Sequence, residues 1–578
     1  MPVAVYTTKD LRSQPRFGWR DAAVFVALFA VLYGVLHVIH GARAPFIPGR
    51  ETVIDLSPAV LPGYAFRSLV RMFLAFFASI VFTLVYGYTA AFNKRAEKVM
   101  VPLLDILQSI PVLGFLSVTV TGFMALFPNS AMGLECASVF AIFTGQAWNM
   151  TFSFYHSLKI MPRELREAAT VYRLTWWQRF TKLEVPFSMI GLVWNGMMSF
   201  GGGWFFLAAS EAITVLGKNL KLPGIGSYMA VAIQRGDNRA ILWAIGTMIL
   251  VVITVDQLFW RPIVAWSQKF KFEQTESANE PSSVVLDVLR NSALVGWAER
   301  RIFTPFARWL DHAMLKVEQS AGTGTVGKTA ARFVGLVLLG ALLLVAAFFA
   351  AKGVVSIGAH LRIGLLLKVL GLGFLTLARV LVVVVVSTLI WTPIGVRIGF
   401  SPKLAKVAQP LVQIGASFPA NLVFPLVVLA FVRFHVPLNW GSILLLMLGT
   451  QWYILFNVIA GAMSVPGDLR EAAMVFHLRG WTMWRTLILP AIFPAWVTGA
   501  LTAAGGAWNA SIVAEVADWG HNHLVAKGLG AFLAESTRTG DWPAIIVSIA
   551  MMSAFVVALN RCLWKPLYAI AEERYRLG

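Results

Sequence analysis

The run Leu165-Arg166-Glu167-Ala168-Ala169 recurs as Leu469-Arg470-Glu471-Ala472-Ala473, displaced by 304 positions in a chain of 578 residues. The same displacement carries Pro162 onto Pro466, Pro186 onto Pro490, Trp204 onto Trp508, Glu211 onto Glu515, Trp260 onto Trp564 and Pro262 onto Pro566. A period this long is a duplicated domain and not a solenoid unit. Each copy sets a short charged helix between long apolar segments, so the two halves are expected to fold alike.

The setting of both copies is a bilayer. Hydrophobic residues make up 58% of the chain and charged residues 13%, with a mean hydropathy of +0.71. A soluble chain of this size carries about 25% charged residues. The net charge of +20 does not point to nucleic acid, because the basic residues sit in short loops flanking apolar runs, where Lys and Arg mark the cytoplasmic side. Cys136 and Cys562 have no metal-ligand spacing, so neither a zinc site nor a disulfide framework is indicated. Near the N-terminus Lys9, Arg12, Arg16 and Arg20 precede an apolar run from Asp21 to His40. No small-residue cleavage site follows it, which reads as an uncleaved first span.

Apolar runs of spanning length lie near 22–40, 66–92, 101–127, 131–155, 186–210 and 240–262, and again near 332–351, 366–396, 410–431, 441–460, 490–514 and 544–565. The expectation is an all-α polytopic membrane protein with two homologous six-helix domains, about 12 transmembrane helices. Lys94, Arg95 and Lys98 in the first half, and Arg397, Lys403 and Lys406 in the second, flank these runs. So do Lys159, Arg163, Arg166, Arg173, Arg179 and Lys182, matched by Arg470, Arg479 and Arg485. These loops and both termini are expected in the cytoplasm. An even number of spans per copy makes the repeat parallel, the two halves related by a pseudo-two-fold axis. The expected boundaries are 1–268 for the first domain, 269–331 for a cytoplasmic linker and 332–578 for the second domain.

Within the linker, Val285, Leu289, Leu294 and Trp297 recur at helical intervals beside Arg300, Arg301 and Arg308. Two readings stand: an amphipathic helix lying on the membrane surface, or a solvated linker helix. The stretch Gly322-Thr-Gly-Thr-Val-Gly327-Lys328-Thr329 matches a phosphate-loop pattern, but that loop needs a buried strand before it and a nucleotide-sized domain around it. Neither is present in this sequence, so the stretch reads as a flexible tether.

The repeated loops carry the chemistry. Leu165, Ala168, Ala169 and Tyr172 fall at i, i+3, i+4 and i+7, as do Leu469, Ala472, Ala473 and Phe476, giving short amphipathic helices opened by an upstream proline. The run Glu-Ala-Ala, followed by Leu-x-Val-Pro186 or Leu-x-Leu-Pro490, resembles the loop of ATP-binding-cassette importer permeases, most closely in the nitrate/sulfonate/taurine/bicarbonate branch. The resemblance implies that each loop is a coupling helix seated on an ATPase subunit. The residues it implicates are Arg163, Leu165, Arg166, Glu167, Ala168, Ala169 and Arg173 in the first copy, and Leu469, Arg470, Glu471, Ala472, Ala473 and His477 in the second. The family pattern has glycine where this chain has Arg173 and His477. Either the turn differs there or these side chains meet the partner.

Candidate residues for the translocation path are Trp204, Glu211, Trp508, Asn509 and Glu515. A carboxylate in a membrane helix is costly and faces a partner or a water-filled cavity. The glycines at 201–203 and 505–506 permit tight helix packing, so a purely structural role for Glu211 and Glu515 stands beside a pathway role. An anionic solute would favour the structural role.

Taken with the resemblance, these residues imply the inner-membrane permease of an ATP-driven importer for a small anionic solute. It would have no catalytic or metal site of its own, with ATP and magnesium held by two cytoplasmic ATPase subunits and solute delivered by an extracytoplasmic substrate-binding protein. A twelve-helix ion-coupled secondary transporter using Glu211 or Glu515 is the alternative, and a non-transporting membrane scaffold is a third.

Overall fold

The computed structural model describes residues 18–42, 52–128, 130–215, 218–270, 283–322, 363–519 and 522–574. The fold is polytopic and helical, and its two halves repeat one order of elements. In the first half these are α1 (Trp19–Ala42), α2 (Leu61–Phe92), α3 (Lys94–Ser109), α4 (Val112–Leu126), α5 (Met132–Ile160), α6 (Arg163–Val171), α7 (Trp176–Arg179) and α8 (Val185–Ser210). A hairpin of β1 (Ala212–Val215) and β2 (Lys218–Lys221) leads into α9 (Ile225–Arg235), α10 (Asn238–Val255) and α11 (Arg261–Ser267). Between the halves lie α12 (Val284–Arg290), α13 (Ala293–Ala298) and α14 (Thr304–Gly322).

The second half runs α15 (Ile363–Gly399), α16 (Pro402–Ser417), α17 (Phe424–Phe434), α18 (Leu438–Met463), α19 (Gly467–Val475), α20 (Gly480–Met483) and α21 (Leu489–Ala514). It closes with β3 (Val516–Trp519), β4 (Asn522–Val525), α22 (Leu529–Thr539), α23 (Trp542–Leu559) and α24 (Lys565–Arg574). Single π-helical turns interrupt both halves at the same places: Phe180–Glu184 and Trp484–Ile488, then Asp256–Trp260 and Asn560–Trp564.

Twelve spans are not recovered. Among the described residues, seven helices are long and apolar enough to cross a membrane, or eight if one bent pair counts as a span. The run expected at 332–351 and most of the phosphate-loop pattern lie outside the described residues. The run at 101–127 is not one straight helix, because α3 and α4 meet at a 99° bend. The cause is local: Pro111 disfavours helical geometry in the residue before it, and Ile110 is extended. Phe418 and Pro419 break the run at 410–431 in the same way, leaving α17 only 11 residues long.

Two compact units divide the chain: Met1–Gly41, Ser153–Asn195 and Thr254–Phe348 form one, and Ala42–Phe152, Gly196–Ile253 and Phe349–Gly578 the other. In the first, the described linker residues form α12 and then a continuous helix from Ala293 to Gly322, in which α13 and α14 join through a π-helical turn at Glu299–Phe303. Asp21 in the first turn of α1 accepts hydrogen bonds from Ser292 Oγ at 2.7 Å and the Leu294 amide at 2.8 Å, which fixes the start of α13. Further along, Trp177 Nε1 donates to Asp311 Oδ1 at 2.7 Å, tying α7 to α14.

In the second unit the packing of α21 on α18 follows membrane rules, where small residues and not apolarity bring helices together. Ala500, Ala503, Ala504 and Ala507 are buried. Gly499 admits α18 so closely that a Cβ there would lie 2.9 Å from the Tyr453 carbonyl oxygen. The amide that the bend at Pro111 exposes is not left unpaired: the Val112 N–H donates to Asn509 Oδ1 at 2.7 Å.

Candidate functional site

Three features built from the duplicated elements bear on function: a cavity, a pair of exposed helices, and a pair of buried ionic knots.

The cavity, of about 270 Å³, lies in the second unit and draws on matching positions of both copies. Gly145 and Gly449, Asn149 and Tyr453, Gly201 and Gly505, and Gly202 and Gly506 all line it. Its polar groups are amides and hydroxyls such as Asn149, Thr450, Asn509 and Asn560, set among the rings of Trp148, Phe205 and Trp508. Among the described residues, none that lines it is Asp, Glu, Lys, Arg or His. A second cavity of about 290 Å³ is lined by β1, β2 and β3 together with Phe424 and Val428 of α17. Ala420 lines the first cavity and Asn421 the second, so one 3₁₀ turn, Ala420–Leu422, stands between them. Asn421 Nδ2 donates from that turn to the Phe205 carbonyl at 3.4 Å.

Of the five residues expected along a path, the cavity takes Trp508 and Asn509. Trp204 is instead buried against Phe200, ring edge to face at 5.6 Å. Glu211 and Glu515 are fully buried and line neither cavity. The Glu211 carboxylate accepts from Ser68 Oγ at 2.6 Å, Arg71 Nη1 at 2.7 Å and the Gly226 amide at 2.7 Å. Glu515 accepts from Thr376 Oγ1 at 2.8 Å, Arg379 Nη1 at 2.8 Å and the Ala531 amide at 3.1 Å.

Each carboxylate thus sits on the N-terminal turn of the following helix, where unpaired amides favour an anion. Gly224 and Gly528 make the approach possible, since a Cβ at either would collide with the carboxylate. The same two residues close the hairpins through their backbone: the Glu211 carbonyl accepts from the Leu222 amide at 2.9 Å and the Glu515 carbonyl from the Ala526 amide at 2.8 Å. One residue per copy therefore joins α2 or α15, the end of α8 or α21, the hairpin and the helix after it.

The sequence reading does not single out these arginines, although a cation inside an apolar run is itself a signal of a buried partner. The two knots differ. Glu135 grips Arg71 with a fork of two bonds, 2.6 and 2.7 Å, whereas Asn439 meets Arg379 at 3.2 and 3.3 Å. A bidentate carboxylate is the stronger partner.

The exposed helices α6 and α19 are each nine residues long. Ala169 and Ala473 are buried, Ala168 and Ala472 half-buried, and Arg163, Glu167 and Glu471 exposed, in keeping with the amphipathic spacing. Leu165 is half-buried while Leu469 is exposed. Arg166 donates to the Leu158 carbonyl at 2.6 Å, and Arg470 lies over the Phe400 ring at 5.4 Å. Tyr172 and Phe476 depart from expectation. Both point outward, 77% and 75% exposed, because the helix has ended and its periodicity no longer aims the side chain.

The turns after the helices do not differ from the glycine pattern. Arg173 and His477 take left-handed backbone, φ 50° and 53°. The Arg173 amide donates to the Thr170 carbonyl at 3.0 Å and the Leu174 amide to the Ala169 carbonyl at 2.9 Å. His477 to Met474 and Leu478 to Ala473 repeat this at 3.0 and 2.9 Å. This is the Schellman cap, made at a cost of about 1 kcal/mol without glycine.

The sequence pattern of the family described as "Binding-protein-dependent transport system inner membrane component" matches residues 60–259 and 391–563. Among curated proteins, the chain is 22% identical to a putative aliphatic sulfonates transport permease protein of Bacillus subtilis, over 34% of this chain and 70% of that protein. It is 25% identical to a bicarbonate transport system permease protein of Synechococcus elongatus, over 30% of this chain and 60% of that protein. It is also 27% identical to a nitrate import permease protein of the same organism, over 34% and 67%.

Removing the arginine of a knot leaves a buried carboxylate without its countercharge, a loss of about 3–5 kcal/mol. Arg379→Ala is therefore expected to lower the unfolding temperature of the purified chain sharply, and Thr376→Val to lower it less. An Arg379→Ala chain that melts like the parent contradicts the knot.

Proposed function

Because the chain belongs to the binding-protein-dependent transport system inner membrane component family, we propose that it is the permease component of an ATP-driven importer, with two pseudo-symmetric halves in one polypeptide. In this reading each half supplies six spans in a parallel repeat. The domains are 1–268 and 332–578, joined by a cytoplasmic linker at 269–331, and both termini lie in the cytoplasm. The basic residues beside α3, α6, α16 and α19 support that orientation.

The observation that carries the reading is the match between α6 and α19. They share length, a proline just upstream, a left-handed cap and a π-helical turn ahead of the next long helix. Two equivalent surfaces suit two copies of one partner, an ATPase subunit that holds ATP and magnesium. Outward-pointing Val171 and Tyr172, and Val475 and Phe476, offer each partner an apolar tip beside the polar side chains of Arg163, Glu167 and Arg173, or of Glu471 and His477.

In this reading, motion reaches the cavity along the long helix that follows each exposed helix. In the second copy α21 runs from the π-helical turn at Trp484–Ile488 to Trp508 and Asn509, a lever of about 28 Å at 1.5 Å per residue. The π-helical turns are the places where such a helix can flex. Closure of the ATPases would draw both exposed helices together, shift α8 and α21, and release the Asn421–Phe205 bond on the turn between the two cavities. The solute, delivered by an extracytoplasmic binding protein, would pass from the hairpin-side cavity into the central one. The cavity suits a small solute held by neutral donors. Its anionic character rests on the named sulfonate, bicarbonate and nitrate relatives. Ion-coupled transport would need a carboxylate open to the cavity, and Glu211 and Glu515 are both engaged with arginine.

Two experiments test this. Replacing Glu167 and Glu471 together by lysine is expected to abolish capture of the partner ATPase while membrane insertion stays normal. Intact capture and transport would sink the coupling assignment. Gly505→Leu projects into open space, since a Cβ there meets nothing within 4 Å. It is expected to cut solute flux at least tenfold, about 1.4 kcal/mol of barrier, with ATPase docking unchanged. Undiminished flux would remove the cavity from the path.

A further inference from the structure

Among the described residues, the helices between the two copies have no counterpart elsewhere in the repeat, and the coupling scheme does not use them. Their inner side is held by polar bonds. Asp21 binds the start of α13, and Asp311 of α14 accepts from Trp177. Their outer side is aromatic. Phe306 and Trp309 stack at 5.7 Å on the same edge of α14, and both are exposed, at 58% and 63%. Ile302, Phe303 and Trp297 extend that exposed surface towards α13. At about 100° per residue, Trp309 lies on the opposite side of the helix from Asp311, two positions on. The aromatic edge therefore points away from the contact that anchors the helix. Arg300, Arg301 and Arg308 are exposed beside it.

Depth selects the occupant. Asp21 belongs to the first turn of α1, a helix long and apolar enough to span, and Trp19 stands exposed at its start. Tryptophan at the end of a span marks the headgroup level of a bilayer. Since Asp21 also holds α13, the linker lies at that same level. Aromatic residues flanked by arginines at this depth match a lipid surface, where the rings enter the acyl boundary and the guanidinium groups meet phosphate.

We propose that residues 283–322 form a membrane-interface element that binds anionic phospholipid headgroups, and that through Trp177–Asp311 it holds the segment following α6. Among the described residues the second copy has no such tether, so in this proposal lipid charge acts on the coupling helix of the first copy. This is independent of ATPase docking: the permease reading can fail while the lipid contact stands, and the reverse.

The test uses the full chain in lipid nanodiscs, with Cys136 and Cys562 replaced by serine and a nitroxide placed at 306, 307, 308 or 309 in turn. In discs containing phosphatidylglycerol, labels at 306 and 309 are expected to collide severalfold more with oxygen than with a water-soluble nickel chelate, and labels at 307 and 308, which turn away from that edge, the reverse. Equal nickel access at all four positions overturns the proposal. So does exclusion of both probes at 306 and 309, which would mean that protein covers the edge. As a second readout, the variant with Arg300, Arg301 and Arg308 all changed to glutamine keeps the aromatic edge but loses on the order of a hundredfold in preference for anionic over zwitterionic lipid. An unchanged preference rejects the headgroup contact.

Discussion

A bilayer offers no water to a buried charge or to a broken helix end, so each has to find its partner within the chain. The Arg71–Glu211 and Arg379–Glu515 pairs, at 2.7 and 2.8 Å, meet that demand at the same place in each copy. Because each glutamate also closes a hairpin and receives the next helix, one residue sets the position of four elements. The bend at Pro111 obeys the same rule, its exposed amide satisfied by Asn509 of the other copy. Those ends are therefore fixed by bonds within the chain.

Much of this was legible in the sequence, and the failures have physical causes. The 304-residue displacement located both exposed helices, because short amphipathic segments keep their spacing when a domain duplicates. The apolar runs located most of the spans. Hydropathy did not reveal the breaks at Ile110 and Phe418, since apolar residues continue across them; the prolines at 111 and 419 were the available signal. Nor did it reveal the hairpins, whose strands are four residues each and lie beside long helices. Glu211 and Glu515 were found but their arginines were not. These partners lie 140 and 136 residues upstream, a separation that no local pattern records. Of the path residues, Trp508 and Asn509 face the cavity while Trp204 is packed away from it, although Trp204 and Trp508 are equivalent in the repeat.

That last contrast belongs to a wider departure from symmetry. Glu135 in one knot is replaced by Asn439 in the other, and Arg173 at one cap by His477 at the other. Fusing two domains in one chain frees each copy to change alone, whereas a homodimer changes both together. The left-handed caps show the limit of that freedom. Both copies keep the backbone geometry while giving up the glycine that makes it cheap, as expected where the position of the helix matters more than the identity of the side chain.

The proposed coupling requires the two exposed helices to move together when an ATPase partner binds ATP. Spin labels at Val171 and Val475, both exposed, allow the distance between them to be measured by pulsed electron resonance in the assembled transporter. ATP is expected to shift the whole distance distribution to a shorter value and hydrolysis to restore it. A distribution that ATP leaves unchanged while solute is still being transported would contradict the account.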